Sequence, residues 1–145
     1  MRIEPMTEEH VLSVVDIDKA SNGAPWSEAS FRREVLNPQA HYYVALSGSE
    51  VVGFAGFWTL VDEAHITTIA VSPEHRGKGV GRALMGQILL DAAKLGMSCA
   101  TLEVRISNEK AIKLYESLGF LNSGVRKNYY PDNREDAVIM WRYGL

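Results

Sequence analysis

The chain has 145 residues, 46% of them hydrophobic, with a formal charge of −3 and a pI near 5.8. This length fits a single domain, residues 1–145, and the acidic balance argues against direct binding to nucleic acid. Cys99 is the only cysteine and the four histidines are dispersed, which excludes an internal disulfide and predicts no metal site.

The N-terminus lacks a signal-peptide pattern and no apolar run approaches about 18 residues, so we expect a cytoplasmic protein with no membrane partner. In chain order, caps, turns and apolar spacing predict a strand, two helices, three strands, a helix, a strand, a helix and two strands. The predicted spans are strand 2–6, a helix after Thr7, a helix from Ser27 to Val35, strands 41–46, 51–60 and 64–71, helix 79–95, strand 98–104, helix 108–118 capped by Ser107, and strands 120–129 and 135–143. This order indicates an α+β protein with one mixed sheet.

The segment from Ile69 to Met85 is the most informative part of the chain. An apolar strand ends at Val71, three glycines then alternate with Lys78 and Val80, and a helix begins near Gly79. Glycine lets the backbone approach a ligand closely, and the first N–H groups of a helix lack intrahelical partners. With the helix dipole and nearby cations added, the segment predicts a pyrophosphate site rather than a glycine-rich turn with solvated charges.

Two common phosphate motifs do not fit. A nucleoside-triphosphatase loop requires glycine where Ser72 stands, and a dinucleotide fingerprint requires glycine at Arg82. The pattern that fits is R-x-x-G-x-G, at Arg76, Gly79 and Gly81. This pattern resembles the acyl-coenzyme-A loop of the GCN5-related N-acetyltransferase (GNAT) superfamily.

Strand 98–104 carries a candidate general base. Ala100, Leu102 and Val104 share one face of the strand, and Glu103 lies on the opposite face. From spacing alone, Glu103 is either a base or a surface residue paired with a cation such as Arg105. In the next helix, Tyr115 lies on the inward face, where a tyrosine either packs in the core or donates a proton from its phenol.

The motif L-E-V-R-x-S-N-x-x-A-x-x-L-Y-x-x-x-G-F, from Leu102 to Phe120, resembles one GNAT subgroup, the bacterial ribosomal-protein-alanine N-acetyltransferases (RimI-like). The resemblance implies a GNAT fold whose mixed, mostly antiparallel sheet has about seven strands and helices on both faces. It implies acetyl-CoA as cosubstrate, Glu103 as general base and Tyr115 as general acid. The residues that it implies for coenzyme binding are Ile69, Ala70, Val71, Arg76, Gly77, Lys78, Gly79, Val80, Gly81, Arg82 and Asn108.

Two aromatic segments resemble the loops that flank the acceptor groove in the same subgroup. One contains Trp26, between the first two helices, and the other contains Tyr129 and Tyr130 in the last hairpin. Pro131 keeps Tyr130 extended, and both segments can equally serve as anchors to the core. The resemblance implies that these three side chains contact the acceptor.

The resemblance predicts acetylation of a protein N-terminus, most specifically the N-terminal alanine of a small-subunit ribosomal protein, by a monomer or weak dimer. Two alternatives are an acetyltransferase for a small amine, such as a polyamine or an aminoglycoside, and a non-catalytic acyl-CoA sensor. A single Glu103 beside Tyr129 and Tyr130 disfavours the small amine, because such acceptors call for several carboxylates. The presence of both Glu103 and Tyr115 disfavours the sensor.

Overall fold

The computed structural model describes all 145 residues and contains seven strands and four α-helices. The strands are β1 (Arg2–Pro5), β2 (Ala40–Ser47), β3 (Glu50–Leu60), β4 (Glu63–Val71), β5 (Cys99–Arg105), β6 (Leu121–Arg126) and β7 (Ala137–Tyr143). The helices are α1 (Val11–Ser21), α2 (Glu28–Leu36), α3 (Val80–Lys94) and α4 (Glu109–Ser117). This order confirms the predicted one.

The seven strands form one sheet in the order β1-β2-β3-β4-β5-β7-β6. Every neighbouring pair is antiparallel except β4 and β5. Short turns join β2, β3 and β4 into hairpins, whereas α3 returns the chain from the end of β4 so that β5 runs parallel to it. The α+β class and the mixed, mostly antiparallel sheet are therefore confirmed.

Helices cover both faces of the sheet, as predicted. In β2, Tyr43 and Ala45 face the core under α3 and α4, while Tyr42 and Val44 face the core under α1 and α2. This alternation follows from the two-residue period of a strand. No helix is long and apolar enough to span a bilayer.

The sheet opens between β4 and β5. These strands pair only from Glu63–Cys99 to His65–Thr101, although β4 continues to Val71 and β5 to Arg105. The register of β3 against β4 shifts just beyond this point, which leaves Thr67 as an extra residue in β4. A bulge bends the strand that carries it, so β4 diverges from β5 and leaves a gap in the middle of the sheet.

Most predicted boundaries lie within one or two residues of the observed ones, and two differences bear on the site. The N-cap of α4 is Asn108, whose side chain accepts a hydrogen bond from the N–H of Ala111 at 3.2 Å, rather than Ser107. The last hairpin is also shorter than predicted, because β6 ends at Arg126 and β7 begins at Ala137. Residues 127–136 form a long connecting segment, which we call the β6–β7 loop.

Candidate active site

A cavity of about 370 Å³ occupies the gap between β4 and β5. Side chains from β4, β5, α1, α4 and two loops line it, so residues far apart in the sequence meet there. Seven of the predicted site residues border this cavity: Trp26, Ile69, Glu103, Asn108, Tyr115, Tyr129 and Tyr130.

Glu103 lies in β5, partly buried, on the wall of the cavity. Its strand neighbours Leu102 and Val104 point into the core on the other face, which is the alternation predicted from the sequence. Arg105 does not pair with Glu103, because its guanidinium pairs with Asp132 and Glu135 instead. The carboxylate of Glu103 is therefore free of a cationic partner and faces space that a ligand can enter.

Tyr115 both packs in the core and borders the cavity. It is 5% exposed, and its ring lies 6.0 Å from the ring of Phe120. Its hydroxyl makes no hydrogen bond within the protein, yet it is not sealed from solvent-accessible space. Burial raises the pKa of the Tyr115 phenol well above 10, with a smaller contribution from Tyr130. The phenol therefore keeps its proton throughout the physiological range.

Tyr129 and Tyr130 form an aromatic wall beside Glu103. Their rings meet edge to face with centroids 5.0 Å apart, and Tyr129 remains 42% exposed. Burial raises the pKa of Tyr130 to about 12 against the opposing effect of the Arg105 charge. The pKa of Tyr129 is also raised, first by burial and then by the negative charge of Glu103. Both phenols are neutral hydrogen-bonding groups at the mouth of the cavity.

Asp18 also borders the cavity, although the sequence did not single it out as a site residue. It is 1% exposed, and one carboxylate oxygen accepts the backbone N–H of Trp26 at 2.7 Å while the other accepts from the side chain of Asn22. These bonds fix the α1–α2 connection and hold Trp26 at the cavity. The available signal was an aspartate on the same helical stripe as Val11, Val14 and Val15, since a carboxylate on an apolar face requires partners.

We call the glycine-rich segment from Arg76 to Arg82 the phosphate loop, because it is a candidate anion site. Gly77 and Gly79 have φ values of 75° and 84°, in the left-handed region that a Cβ disfavours. Gly79 is the N-cap of α3, and no side chain caps this helix. The N–H groups of Val80, Gly81 and Arg82 therefore have no intrahelical partner and favour an anion together with the helix dipole.

The three cations of this segment differ in their contacts. Arg76 donates to the carbonyl of Val71 at 3.2 Å and to the Ser21 hydroxyl at 3.1 Å, and Arg82 donates to the Ser117 hydroxyl at 2.9 Å. Lys78 has no hydrogen-bond partner. Because none of the three pairs with a carboxylate, all three positive charges remain available to an anion.

The end of β4 connects the phosphate loop to the cavity. Ala70 and Val71 pair with β3 on one side, while their other edge faces the gap left by β5. A Cβ built at Gly81 would lie 3.7 Å from Leu114 and 3.9 Å from Val71, so the first turn of α3 packs directly against this strand end. The residues predicted for coenzyme binding therefore lie at the end of β4, in the segment that follows it and in the first turn of α3, except Asn108, which borders the cavity from the start of α4.

The arrangement fits acetyl-CoA. The left-handed glycines and uncapped helix suit a pyrophosphate, the open edge of β4 suits an extended arm, and the cavity beyond holds a free carboxylate and a protonated phenol. No group of three or more His, Cys, Asp or Glu side chains is placed to bind a metal ion.

Comparison with known proteins agrees with this geometry. The model of the acetyltransferase (GNAT) family matches residues 11–120. The chain therefore belongs to the GNAT family of acetyltransferases, which confirms the resemblance found in the sequence.

Individual relatives indicate the subgroup of the GNAT family to which the chain is similar. The [ribosomal protein bS18]-alanine N-acetyltransferase of Escherichia coli K12 is 40% identical over 126 residues, 86% of this chain and 84% of that protein. The N-alpha-acetyltransferase RimI of Mycobacterium tuberculosis is 42% identical over 122 residues, 81% of this chain and 75% of that one. The crystal structure of the E. coli ribosomal-protein-S18-alanine N-acetyltransferase superimposes with a TM-score of 0.90 at 34% identity, covering 98% of this chain and 92% of that one. The chain is thus a RimI-like member of the family.

Proposed function

We propose that this protein transfers an acetyl group from acetyl-CoA to the N-terminal amine of a protein, with the N-terminal alanine of ribosomal protein bS18 as its acceptor. The observation that carries the chemistry is that an unpaired carboxylate, Glu103, and a protonated phenol, Tyr115, border one cavity in the gap between β4 and β5. The names of the relatives supply the acceptor. Residues 1–145 act as one acetyltransferase domain.

Residues 69–71 and 76–82 hold the coenzyme, together with Asn108. The backbone N–H groups at the start of α3 and the cations Arg76, Lys78 and Arg82 receive the pyrophosphate, and the edge of β4 receives the extended arm. Asn108 borders the same cavity, although its side-chain oxygen already caps α4. When bound, acetyl-CoA supplies the acetyl group activated as a thioester.

Glu103 acts on the incoming amine. A protein N-terminus has a pKa near 8, so at pH 7 roughly a tenth of it is neutral and the remainder must lose a proton before it attacks. Glu103 accepts that proton, directly or through one water. A backbone N–H near Val71 polarises the acyl carbonyl, and Tyr115 donates a proton to the sulfur that leaves.

Trp26, Tyr129 and Tyr130 select the acceptor. Trp26 borders the cavity from the α1–α2 connection, and Tyr129 and Tyr130 border it from the β6–β7 loop. The second carboxylate of the cavity, Asp18, already accepts two hydrogen bonds, so only Glu103 is free to meet a cationic acceptor. A polyamine or aminoglycoside is therefore the weaker candidate.

Release of free thiol from acetyl-CoA tests the proposal. The acceptors are a peptide with the N-terminal sequence of bS18, the same peptide with a blocked Nα, and spermidine, with Glu103→Gln as the matched variant. We expect release only with the free peptide, and much slower release with the variant. Release only with spermidine would establish the small-amine alternative, while coenzyme binding without release for any acceptor would establish a sensor.

A further inference from the structure

Arg105 organises the loop that carries the aromatic wall. It lies in β5, two residues after Glu103 and on the same face of the strand. One guanidinium nitrogen donates to both carboxylate oxygens of Asp132 at 3.0 and 2.9 Å. The other donates to Asn133 at 3.1 Å and to Glu135 at 3.2 Å. The guanidinium carbon also lies 4.0 Å from the centre of the Tyr130 ring.

Other hydrogen bonds hold the β6–β7 loop mainly near its two ends. The N–H of Asn128 donates to Asp136 at 2.9 Å, the N–H of Ile106 donates to the Asp136 carbonyl at 3.1 Å, and the N–H of Ser107 donates to Glu135 at 2.9 Å. Asn128 and Arg134 both have φ near +56°, a conformation that costs free energy in residues other than glycine. Backbone pairing within the loop joins only Tyr130 to Glu135 and Arg134 to Tyr130, at 3.2 and 2.8 Å. Because strained segments persist only where their surroundings hold them, we assign to Arg105 the ordering of the middle of this loop, where it contacts Tyr130, Asp132 and Asn133.

The same contacts reach the other side of the cavity. A Cβ built at Gly23 would clash with the carboxylate of Asp132, so the α1–α2 connection lies directly against the Arg105–Asp132 pair. Trp26 follows three residues later in that connection. Arg105 thereby links the strand of Glu103 to Tyr130 directly and to the Trp26 segment through Asp132.

Asp132 and Glu135 also restrain the charge of Arg105. The Arg105 side chain is 24% exposed, and its guanidinium pairs with these two carboxylates of the β6–β7 loop. A free guanidinium at this position would lie on the same strand face as Glu103. The loop carboxylates thus keep the cation from pairing with the candidate base.

We propose that Arg105 is a positioning residue that sets affinity for the acceptor by fixing Tyr129 and Tyr130 over the cavity. This inference rests on the proposed acetylation of a protein N-terminus. The hydrogen bonds and ion pairs of Arg105 all go to the β6–β7 loop and none to the segment from Ile69 to Arg82, so we expect its effect to fall on the acceptor and not on the coenzyme.

The test compares Arg105→Met and Arg105→Lys with the wild type. Methionine keeps much of the length of the side chain and removes the charge, leaving Asp132 and Glu135 to repel each other. Lysine keeps the charge and loses the forked geometry and the stacking. Arg2→Met is the matched control, because Arg2 also pairs with a carboxylate, Glu4 at 2.8 Å, but lies in edge strand β1 far along the sheet.

Two readouts are needed. Limited trypsin digestion followed by mass spectrometry measures opening of the loop at Lys127, and steady-state kinetics give KM for the peptide and kcat, with the Kd of acetyl-CoA measured separately. For Arg105→Met we expect faster cleavage at Lys127 and a rise in peptide KM of about tenfold or more, with the Kd of acetyl-CoA within about twofold of wild type. Arg105→Lys lies between the two, and Arg2→Met matches the wild type.

An unchanged peptide KM in Arg105→Met would overturn the inference, as would an equal loss of coenzyme affinity or the same changes in Arg2→Met. Failure of the wild type to acetylate any peptide would overturn the proposed function instead. In that case, faster cleavage at Lys127 in Arg105→Met than in the wild type would still show that Arg105 orders the loop. Equal cleavage rates in the two proteins would refute it.

Discussion

Replacement of Glu103 by glutamine gives a defect whose size depends on pH in a way that a structural defect does not. Glutamine preserves the shape and the hydrogen-bonding reach of the side chain and removes its ability to accept a proton. Glu103 has no ion-pair partner, so the substitution leaves no orphaned cation in the cavity. The variant has to use acceptor that is already neutral.

The magnitude follows from the fraction of neutral amine. With a pKa near 8, this fraction is about 1% at pH 6, about 10% at pH 7 and about 90% at pH 9. The wild type removes the proton with Glu103, whereas the variant follows the neutral fraction. The ratio of wild-type to variant kcat/KM should therefore be about 100 at pH 6 and about 10 at pH 7, and should approach unity near pH 9.

The assay is thiol release with the bS18 peptide at intervals from pH 6 to pH 9.5, with each protein tested for retained fold at each pH. Glu63→Gln is the control, because Glu63 is another partly buried sheet glutamate and is hydrogen-bonded to His65 at 3.0 Å, outside the cavity. A ratio that stays constant with pH, or grows at high pH, would refute the assignment of Glu103 as the base.

Four further predictions concern single residues. Tyr115→Phe should lower kcat by about 100-fold while leaving coenzyme Kd and thermal stability nearly unchanged, because the hydroxyl makes no hydrogen bond within the protein; activity and calorimetry measure this. Gly79→Ala should lower the free energy of unfolding by about 1 kcal/mol and weaken coenzyme binding, because the φ of Gly79 is 84°. Gly86→Ala, in the interior of α3 with open space at its Cβ, should instead raise the free energy of unfolding by a similar amount. Urea unfolding measures both changes in stability, and calorimetric titration measures coenzyme binding. Asp18→Ala should cost about 3 kcal/mol, which for 145 residues is a fall in Tm of about 10 °C, because the N–H of Trp26 and the side chain of Asn22 both lose their acceptor; thermal unfolding measures this. Hydrogen bonds from Ser107 hold the pKa of Glu135 at about 2, below its unfolded value of about 4.3. The stability that Glu135→Gln loses relative to the wild type should therefore be at its full value above about pH 5, and this difference should shrink as the pH falls towards 2. A difference in urea unfolding that stays constant from pH 7 to pH 2.5 would contradict this.

The sequence was most informative where the decisive interactions are local. The left-handed glycines of the phosphate loop, the N-cap of α2 and the faces of β5 each depend on a few neighbouring residues. Ser27 caps α2 as predicted, accepting from the N–H of Ser30 at 3.1 Å. The prediction was wrong at the cap of α4 because Ser107 and Asn108 are both good capping residues. Which of the two residues caps α4 depends on the β6–β7 loop, because the N–H of Ser107 donates to Glu135 in that loop.

Spacing left two explanations open for Glu103, a general base or a surface residue paired with a cation such as Arg105. Only contacts with residues distant in the sequence decided between them. Pairing with Arg105 was reasonable for two residues on one face of a strand. The structure instead pairs Arg105 with Asp132 and Glu135, which lie about thirty residues further along the chain. The length of the β6–β7 loop was hidden for the same reason, since its order depends on that non-local pairing and not on hairpin geometry.

The sequence by itself determined the order of helices and strands and the positions of the glycines before α3, because periodicity, caps and glycines act over a few residues. Only the tertiary structure decided that β4 and β5 separate after His65 and Thr101, and that Trp26, Glu103, Tyr115 and Tyr130 border the same cavity. The separation depends on a bulge formed between two strands, and the cavity on contacts among segments up to about a hundred residues apart. Such contacts form only when the whole sheet has paired, so no local pattern encodes them.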